Sequence, residues 1–255
     1  MRILLTNDDG IHAAGFAVLE RVAATLSDDV WAVAPLEENS GAGHSLTLTK
    51  PLRIRRMGDK RFGVSGTPTD CVMLALAHLM KDAKPVLILS GVNRGANLAE
   101  DVTYSGTVSA AMEGALAGVP SIALSQAYSR EGMGDTVPFS AAEGWATRVL
   151  GPLIDARIEP GTLVNVNFPA LPADAVKGIR VCRQGRRDYG RLQVIDRKDP
   201  RGFPYFWFGL AATVETPGHA TDLEAVAEGY IGVTPLHLDM THDHSLKVLL
   251  GAFGG

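Results

Sequence analysis

Two adjacent aspartates, Asp8 and Asp9, follow shortly after the apolar stretch Ile3 to Leu5 near the start of the chain. Two ionised carboxylates about 4 Å apart repel each other by several kcal/mol at an effective dielectric constant of roughly 20, so such a pair is usually neutralised by a cation. The pair therefore predicts a site for a hard divalent metal ion. A simpler interpretation stays open here, in which Asp9 and Gly10 form a turn that ends the strand and Asp8 caps the next helix.

Polar residues also follow two other predicted strands. Residues 37–41 come after the apolar stretch 30–34, and residues 90–93 come after the apolar stretch 86–89. Because ligands of open parallel sheets bind beyond the carboxyl ends of the strands, these groups are expected to meet at one edge of the sheet. Hard oxygen ligands of this kind select Mg²⁺, Mn²⁺ or Ca²⁺ over metals that prefer thiolates.

An Ala-rich helix, predicted over residues 106–116, begins with Ser105, Gly106 and Thr107. The free backbone N–H groups and the partial positive charge of a helix N-terminus suit a phosphate. Ordinary capping would by itself explain Ser105 and Thr107. The neighbouring candidate metal site favours the phosphate-binding interpretation.

Strands and helices alternate through the first two thirds of the chain. Apolar spacing predicts helices and strands in turn, and residues 67–70 (Thr-Pro-Thr-Asp) signal a helix start. This alternation predicts a Rossmann-like, doubly wound α/β fold with a mostly parallel sheet. Two short polar segments, 45–50 and 52–56, are expected to form a hairpin outside the main sheet. The predicted strands are 3–5, 30–34, 86–89, 121–124 and 163–167, and the predicted helices are 16–26, 71–80, 106–116 and 140–153.

The pattern changes after Pro169 to shorter strands at 178–183, 205–209 and 229–233, separated by Gly, Pro and charged residues. We therefore expect a catalytic core over 1–170 and a smaller C-terminal appendage over 171–255 that is used in oligomerisation. The aromatic run 206–208 is expected in an interface or core strand, because a base-stacking surface would alternate with basic residues.

Composition narrows the class of protein. The 255 residues are 46% apolar and 20% charged, which is enough for one sizeable α/β domain. Cys71 and Cys182 fit neither a disulfide framework nor a zinc motif, which indicates a reducing compartment. We expect a cytoplasmic protein with no membrane partner, because no run approaches the roughly 20 apolar residues of a membrane span and the N-terminus lacks a secretory signal.

The net charge of −4 argues against indiscriminate nucleic-acid binding, and we expect no specific nucleic-acid partner. The segment from Arg180 to Arg201 is an exception, with eight basic and three acidic residues. It could contact a polyanion, or it could be a solvated arm whose charges pair with acids of a neighbouring subunit.

Four stretches together resemble the SurE survival-protein nucleotidases. They are residues 7–15 (with Asn7, Asp8, Asp9, Gly10, His12 and Gly15), 40–47 (with Ser40, Gly41, Ser45, Leu46 and Thr47), 66–71 and 90–114. The pairs Gly229-Tyr230 and Thr234-Pro235 extend the resemblance over nearly the whole chain, in order.

The resemblance implies a divalent-metal-dependent phosphatase for nucleoside 5′-monophosphates, with 3′-monophosphates and short polyphosphate as further substrates. It implies one Mg²⁺ or Mn²⁺ per subunit and a homodimer or homotetramer that exchanges C-terminal arms. The implied metal ligands are Asp8, Asp9, Ser40 and Asn93. The implied phosphate-binding residues are Asn97, Ser105, Gly106 and Thr107.

One loop departs from the family. Basic or polar residues often precede the position of Ser40, whereas this chain has Leu36, Glu37, Glu38 and Asn39 there. We expect Glu37 and Glu38 to lie outside bonding distance of the metal, where they support its ligands or remain on the surface.

For the chemistry, we expect the cation to polarise a phosphoryl oxygen while Asp8 or Asp9 orients or deprotonates the attacking water. Asp9 is the better candidate for permanent coordination, because Gly10 lets the backbone turn tightly around the ion.

Seven histidines are present. His12 and His44 lie near the predicted site as general-acid candidates or packing residues. His78 is expected in the core, and His219, His237, His242 and His244 on the surface.

Three other functions stay open from the residues alone. A haloacid-dehalogenase-like phosphatase would use an aspartate after the first strand as a covalent nucleophile. A non-catalytic nucleotide-binding regulator would bind without turnover. A dinucleotide-dependent oxidoreductase is disfavoured, because Asp8 and Asp9 stand where a pyrophosphate needs a glycine loop. The sequence contains no motif that indicates a preferred nucleobase or a particular metal ion.

Overall fold

The structure, a computed structural model, describes residues 1–128, 138–156, 158–187, 192–210 and 220–254. The predictions for His219, Asp188 and Arg191 fall outside these residues. The described strands are β1 (Arg2–Thr6), β2 (Asp29–Pro35), β3 (Ile54–Arg56), β4 (Arg61–Val64), β5 (Leu87–Arg94), β6 (Ser121–Gln126), β7 (Thr162–Phe168), β8 (Ile179–Val181), β9 (Leu192–Lys198), β10 (Pro204–Leu210) and β11 (Ile231–His237). The described α-helices are α1 (Ala14–Ala24), α2 (Pro68–Leu74), α3 (Gly106–Leu116), α4 (Ser140–Asp155), α5 (Asp222–Ala227) and α6 (Asp243–Phe253).

Nine of the described strands form one sheet, in the order β3-β4-β2-β1-β5-β6-β7-β11-β8. The pairings from β4 across to β7 are parallel. Only β3 against β4 and β11 against β7 are antiparallel within this described sheet. The chain adds β2 and β4 on one side of β1 and then β5 on the other, so the strand order reverses between β1 and β5. Such a switch point opens a crevice at the carboxyl ends of the strands.

Helices cover both faces of the sheet, as a parallel sheet requires. Strand β1 shows the two layers, because successive side chains point to opposite faces. Ile3 and Leu5 pack in a cluster with Phe16 of α1 and Leu150 of α4. Leu4 packs on the other face with Val72 of α2 and neighbouring residues. The predicted doubly wound α/β fold is confirmed.

The predicted start of α2 is confirmed in detail. Thr67 Oγ1 accepts a hydrogen bond from Asp70 N at 3.2 Å, and Asp70 Oδ2 accepts one from Thr67 N at 2.8 Å. This reciprocal capping satisfies two backbone donors of the first turn. The helix expected through Met80 is α-helical only to Leu74 and continues as a π-helical segment, Ala75–Leu79. Cys71 is buried in the core, as expected.

Two expectations are wrong. Residues 45–50 form no strand, and β3 pairs with the unpredicted β4 at the edge of the main sheet instead of forming a hairpin outside it. The ring of Phe62 in β4 stacks on Trp31 of β2 with centroids 6.0 Å apart, a long-range contact that local sequence does not reveal. His78 is exposed, because Leu76 faces the core and a residue two positions later lies on the opposite side of the helix.

The sheet continues beyond residue 170. Strand β11 pairs with β7, and β8 pairs with β11, whereas β9 and β10 form a separate two-stranded hairpin. Sequence patterns did not predict β9, α5 or α6. The division into domains at residue 170 stays a prediction. Within the described part of the chain, every helix is too short or too polar to span a bilayer.

Gly15 gives a test of how closely α1 packs on β5. A Cβ at this position would lie 1.9 Å from Val92 O and 2.9 Å from the Phe139 ring. We expect Gly15→Ala to lower the free energy of unfolding by about 1 to 3 kcal/mol, because the helix must move away from the strand. Chemical denaturation measures this, with Gly151→Ala in α4 as the matched helical control, where a Cβ would meet nothing within 4 Å. The control should be neutral or stabilising, and equal effects would contradict the proposed close packing.

Candidate active site

The side chain of Asp8 is buried between the end of β1 and the first turn of α3, with 4% of its surface exposed. Its Oδ1 accepts a hydrogen bond from Thr107 Oγ1. A Cβ at Gly106 would lie 2.7 Å from Asp8 Cβ, so the helix reaches the aspartate only because residue 106 has no side chain. The helix N-terminus predicted to bind phosphate therefore contacts a predicted metal ligand directly.

Asp9 connects the two strands at the switch point. Its Oδ2 accepts a hydrogen bond from the backbone N of Arg94, at the end of β5, at 3.1 Å. Gly10 follows with a φ of +99°, a value that favours glycine, and Asn7 Nδ2 donates to Gly10 O at 2.9 Å. This tight turn presents Asp8 and Asp9 at the crevice.

Ser40 and Asn93 lie on the segments that border the two aspartates. The loop that carries Ser40 is tied to Asp8, because Asn39 N donates to Asp8 O at 2.8 Å. Asn93 lies inside β5, not after it as expected, at an irregularity in the pairing with β6. Its Nδ2 donates to Gly95 O at 2.8 Å, so its Oδ1 is the atom that could meet a cation. The four predicted ligands thus come from segments that meet at one crevice, and their coordination of a metal stays a prediction.

Nearby positive charge does not compensate for the burial of the two aspartates. Burial raises the pKa of Asp8 to about 6; the Thr107 hydrogen bond opposes this rise, and the charge of Asp9 adds to it. Burial also raises the pKa of Asp9, and the charge of Glu38 adds to the rise. The hydrogen bond from the Arg94 backbone and the positive charge of Arg94 oppose it. The buried Asn7 Oδ1 has no hydrogen-bond partner among the described residues. Oxygen donors with unbalanced negative charge fit a hard divalent cation.

Within the described ranges, no three His, Cys, Asp or Glu side chains form a group that could hold a metal. The predicted set is of a different kind, since it has two carboxylates and two neutral oxygens from Ser40 and Asn93. Mg²⁺ is usually held by one or two carboxylates and keeps several waters, so two carboxylates are sufficient for such an ion.

Asn97, a predicted phosphate-binding residue, is fixed in a buried cluster of amides. Its backbone N donates to Asn167 Oδ1 at 2.8 Å, and its carbonyl accepts from the side chains of Asn165 and Asn167. Its own Nδ2 donates to Ser125 Oγ at 2.8 Å. Sequence reasoning missed Asn165 and Asn167, although two polar residues at alternate positions of an apolar strand were an available signal.

Asp222 of α5, also missed, ties the loop after Asn97 to the C-terminal part of the chain. Its buried carboxylate accepts hydrogen bonds from Ala99 N at 2.9 Å and Gly185 N at 2.7 Å, while Gln184 Nε2 donates to Ala99 O at 2.8 Å. Ala99 has a φ of +52°, so its conformation depends on such outside support. Burial raises the pKa of Asp222, and these N–H donors oppose the rise.

Two residues of the basic segment pair within the chain. Arg187 forms an ion pair with Asp101, and Arg180 forms one with Glu228 at 2.8 Å. These arginines therefore support the chain's own fold, and neither of the two expected partners, a polyanion or a neighbouring subunit, is needed to explain them.

Ser105 and His44 have clear partners. Ser105 Oγ accepts a hydrogen bond from Val108 N at 3.1 Å, so it caps α3 as the simpler interpretation expected. His44 Nε2 lies 3.1 Å from Glu113 Oε2 on α3. His12 is exposed, as are the three described C-terminal histidines expected on the surface: His237, His242 and His244.

A cleft of about 290 Å³ lies between the loop after β2 and the segment that leads into α2. Asn39, Lys50, Ser65 and Thr67 are among the residues that line it. It lies beside the crevice, since Asn39 is bonded to Asp8 and Pro68, which follows Thr67, approaches Gly106.

Comparison with known proteins gives consistent matches. The family described as "Survival protein SurE" matches residues 3–191. The protein named 5′-nucleotidase SurE from Rhizorhabdus wittichii is 66% identical over 246 residues, which cover 96% of this chain and 97% of that protein. The protein of the same name from Erythrobacter litoralis is 59% identical and covers 98% of each. The crystal structure of SurE protein from Aquifex aeolicus matches with a TM-score of 0.85 and 39% identity, covering 99% of each chain.

The raised pKa of Asp8 predicts how stability depends on pH. The folded value of about 6 exceeds the ordinary 3.8, so the aspartate stabilises the fold below about pH 4 and this contribution is lost as the pH rises through 6. Asp8→Asn should therefore stabilise the metal-free protein by up to about 3 kcal/mol at pH 7.5 and by little at pH 4. Chemical denaturation after treatment with a chelator, from pH 4 to 8, measures this. The exposed Asp82→Asn is the control, and a gain that did not change with pH would contradict the assignment.

Proposed function

The chain belongs to the SurE survival-protein family, and we propose that it hydrolyses nucleoside 5′-monophosphates to nucleoside and phosphate with one divalent cation per subunit, Mg²⁺ or Mn²⁺. The observation that carries the proposal is the buried carboxylate of Asp8, paired with Asp9 and seated against the N-terminus of α3. The name 5′-nucleotidase of the full-length relatives supports the substrate class and makes the chain an enzyme of the same kind. We propose metal dependence because the predicted ligands are all oxygen atoms and the negative charge of the two aspartates is not balanced.

Asp8, Asp9, Ser40 and Asn93 would hold the cation. When bound, it would supply positive charge that neutralises the phosphoryl oxygens and favours attack by water. The hydrogen bond from Thr107 fixes Asp8, and the one from Arg94 fixes Asp9. In this proposal one of the two aspartates orients the attacking water or accepts its proton.

The phosphate would be held by Asn97 and the first turn of α3. Ser105 Oγ accepts a hydrogen bond from Val108 N, which leaves its O–H free to donate to a phosphate oxygen. The first N–H groups of α3, at Gly106 and Thr107, would add donors and partial positive charge. Asn97 would contribute a contact whose position the surrounding amides fix in advance.

The nucleoside would extend from the phosphate into the neighbouring cleft of about 290 Å³. Thr47 and Ser65, which line it, offer hydroxyl groups for contacts to a ribose or a base. Nucleoside 3′-monophosphates and short polyphosphate are proposed as further substrates on the ground of the family resemblance.

We propose that the chain assembles as a homodimer or homotetramer through its C-terminal part. Within the described residues, β9 and β10 pair only with each other and expose Phe203, Tyr205, Phe206, Trp207 and Phe208. A two-stranded hairpin is marginally stable alone in water, and large exposed aromatic surfaces usually mark an interface. We propose that a second copy of the chain covers this aromatic surface.

A cytoplasmic location is proposed from the cysteines. Cys71 and Cys182 are both buried and unpaired, which suits a reducing compartment.

The proposed activity predicts phosphate release from AMP in the presence of Mn²⁺ or Mg²⁺, its loss with a chelator and its return with added metal. Asp9→Asn should lower kcat/KM by roughly 100-fold or more, because it removes a carboxylate that would hold the cation and could orient or deprotonate the attacking water. The exposed Asp82→Asn should retain full activity. Binding of AMP without release would instead support a non-catalytic regulator. A covalent phosphoryl-aspartate trapped from the reaction would support a haloacid-dehalogenase-like enzyme.

The proposed assembly predicts that Trp207→Glu lowers the mass of the particle in solution. Trp207 is 64% exposed in the single chain, and a charge there would be buried in the interface. Light scattering after size-exclusion chromatography measures the mass. Leu116→Glu, at a site that is 60% exposed on α3, is the control and should keep the mass of the unaltered protein. A hairpin that carries no interface would give the same mass for both variants.

A further inference from the structure

We propose that Glu38 is a positioning residue, which holds the hydroxyl of Ser40 so that the oxygen, and not the proton, faces the cation. This inference rests on the proposed function, since it presupposes a cation bound by Ser40 with Asp8, Asp9 and Asn93. It concerns the loop in which this chain departs from its family, where two acids precede the serine.

The contact itself is direct. Ser40 Oγ donates a hydrogen bond to Glu38 Oε1 at 2.8 Å. A serine hydroxyl has one hydrogen and two lone pairs, so once the hydrogen is committed to a carboxylate only lone pairs remain for other partners. A hydrogen bond to an ionised acceptor is also stronger than one to a neutral acceptor, and it makes the serine oxygen a better donor of electron density. Both effects favour coordination of a cation by Ser40.

The backbone of the loop keeps this contact in place. Asn39, between the two residues, donates its N–H to Asp8 O at 2.8 Å, and Ala42 N donates to Asn39 O at 3.1 Å. The loop is therefore fixed to the carboxyl end of β1 at the residue between Glu38 and Ser40. The charge of Glu38 also acts on Asp9, whose pKa it helps to raise, so Glu38 lies within electrostatic range of the predicted ligands.

Glu37 is the matched comparison. It carries the same charge one residue earlier and is likewise exposed. Its backbone carbonyl accepts a hydrogen bond from Asn39 Nδ2 at 2.9 Å, and no hydrogen bond links its side chain to a predicted ligand among the described residues. A role that depends only on negative charge near the site would be shared by the two glutamates. A role that depends on the hydrogen bond to Ser40 belongs to Glu38.

The test measures the Kd of Mn²⁺ by isothermal titration calorimetry on chelator-treated, full-length protein and its variants. We expect Glu38→Ala to weaken binding by about 10-fold or more, as loss of the partner of a metal ligand typically does. Glu38→Gln removes the charge but keeps an oxygen that can accept from Ser40, so it should recover at least half of the loss on a logarithmic scale. Glu37→Ala should stay within about 2-fold of the unaltered protein.

A double variant that carries both Ser40→Ala and Glu38→Ala tests whether Glu38 acts on the metal through Ser40 or directly. Ser40→Ala alone should weaken binding, and Glu38→Ala added to it should change the Kd by less than about 2-fold. A large further loss in the double variant would overturn the inference, as would equal Kd values for Glu38→Ala and Glu38→Gln or for Glu38→Ala and Glu37→Ala. All three residues are exposed, and thermal unfolding checks that each variant is folded. Failure of the unaltered protein to bind Mn²⁺ would instead overturn the proposed function, and this inference with it.

Discussion

The burial of the Asp8 carboxylate against the first turn of α3 is the constraint on which the site depends. A carboxyl group in such a place resists ionisation unless positive charge or hydrogen-bond donors reach it. Here the Thr107 hydroxyl reaches it, and the approach is possible because Gly106 leaves room beside Asp8 Cβ. The remaining deficit of positive charge supports the divalent cation that we propose at Asp8 and Asp9. The first turn of α3 thus contacts Asp8 directly, and it is also where we propose that the substrate phosphate binds.

The position of the site follows from the order of the strands. Since β1 and β5 are neighbours at the switch point, the turn after β1 and the end of β5 open into the same crevice. The bond from Arg94 N to Asp9 joins these two segments. The loop after β2 is joined to them through Asn39, which donates to Asp8 O. Three segments that are distant in sequence are therefore held together by one backbone–backbone hydrogen bond and by one hydrogen bond from a backbone N–H to a carboxylate.

The C-terminal part of the chain contributes to the site as well as to the proposed assembly. Asn165 and Asn167 of β7 hold the backbone of Asn97, and Asp222 of α5 holds the next part of that loop at Ala99. These contacts are buried, so an unpaired member would leave a polar group without a partner, at a cost of about 1 to 3 kcal/mol. Because it is fixed in this way, the loop that we propose to bind phosphate would lose little conformational entropy on binding its ligand.

The sequence by itself determined the alternation of strands and helices, the start of α2 and the full extent of α3, because these follow from local apolar period and capping residues. It also determined that Asp8 and Asp9 follow the first strand. Only the tertiary structure decided that β3 and β4 join the main sheet, that His78 is exposed, and that Asn165, Asn167 and Asp222 support the site. The physical reason is that strand pairing, side-chain burial and the partners of buried polar groups depend on contacts between residues far apart in the chain. A local pattern, such as the two alternating asparagines of β7, does not identify those partners.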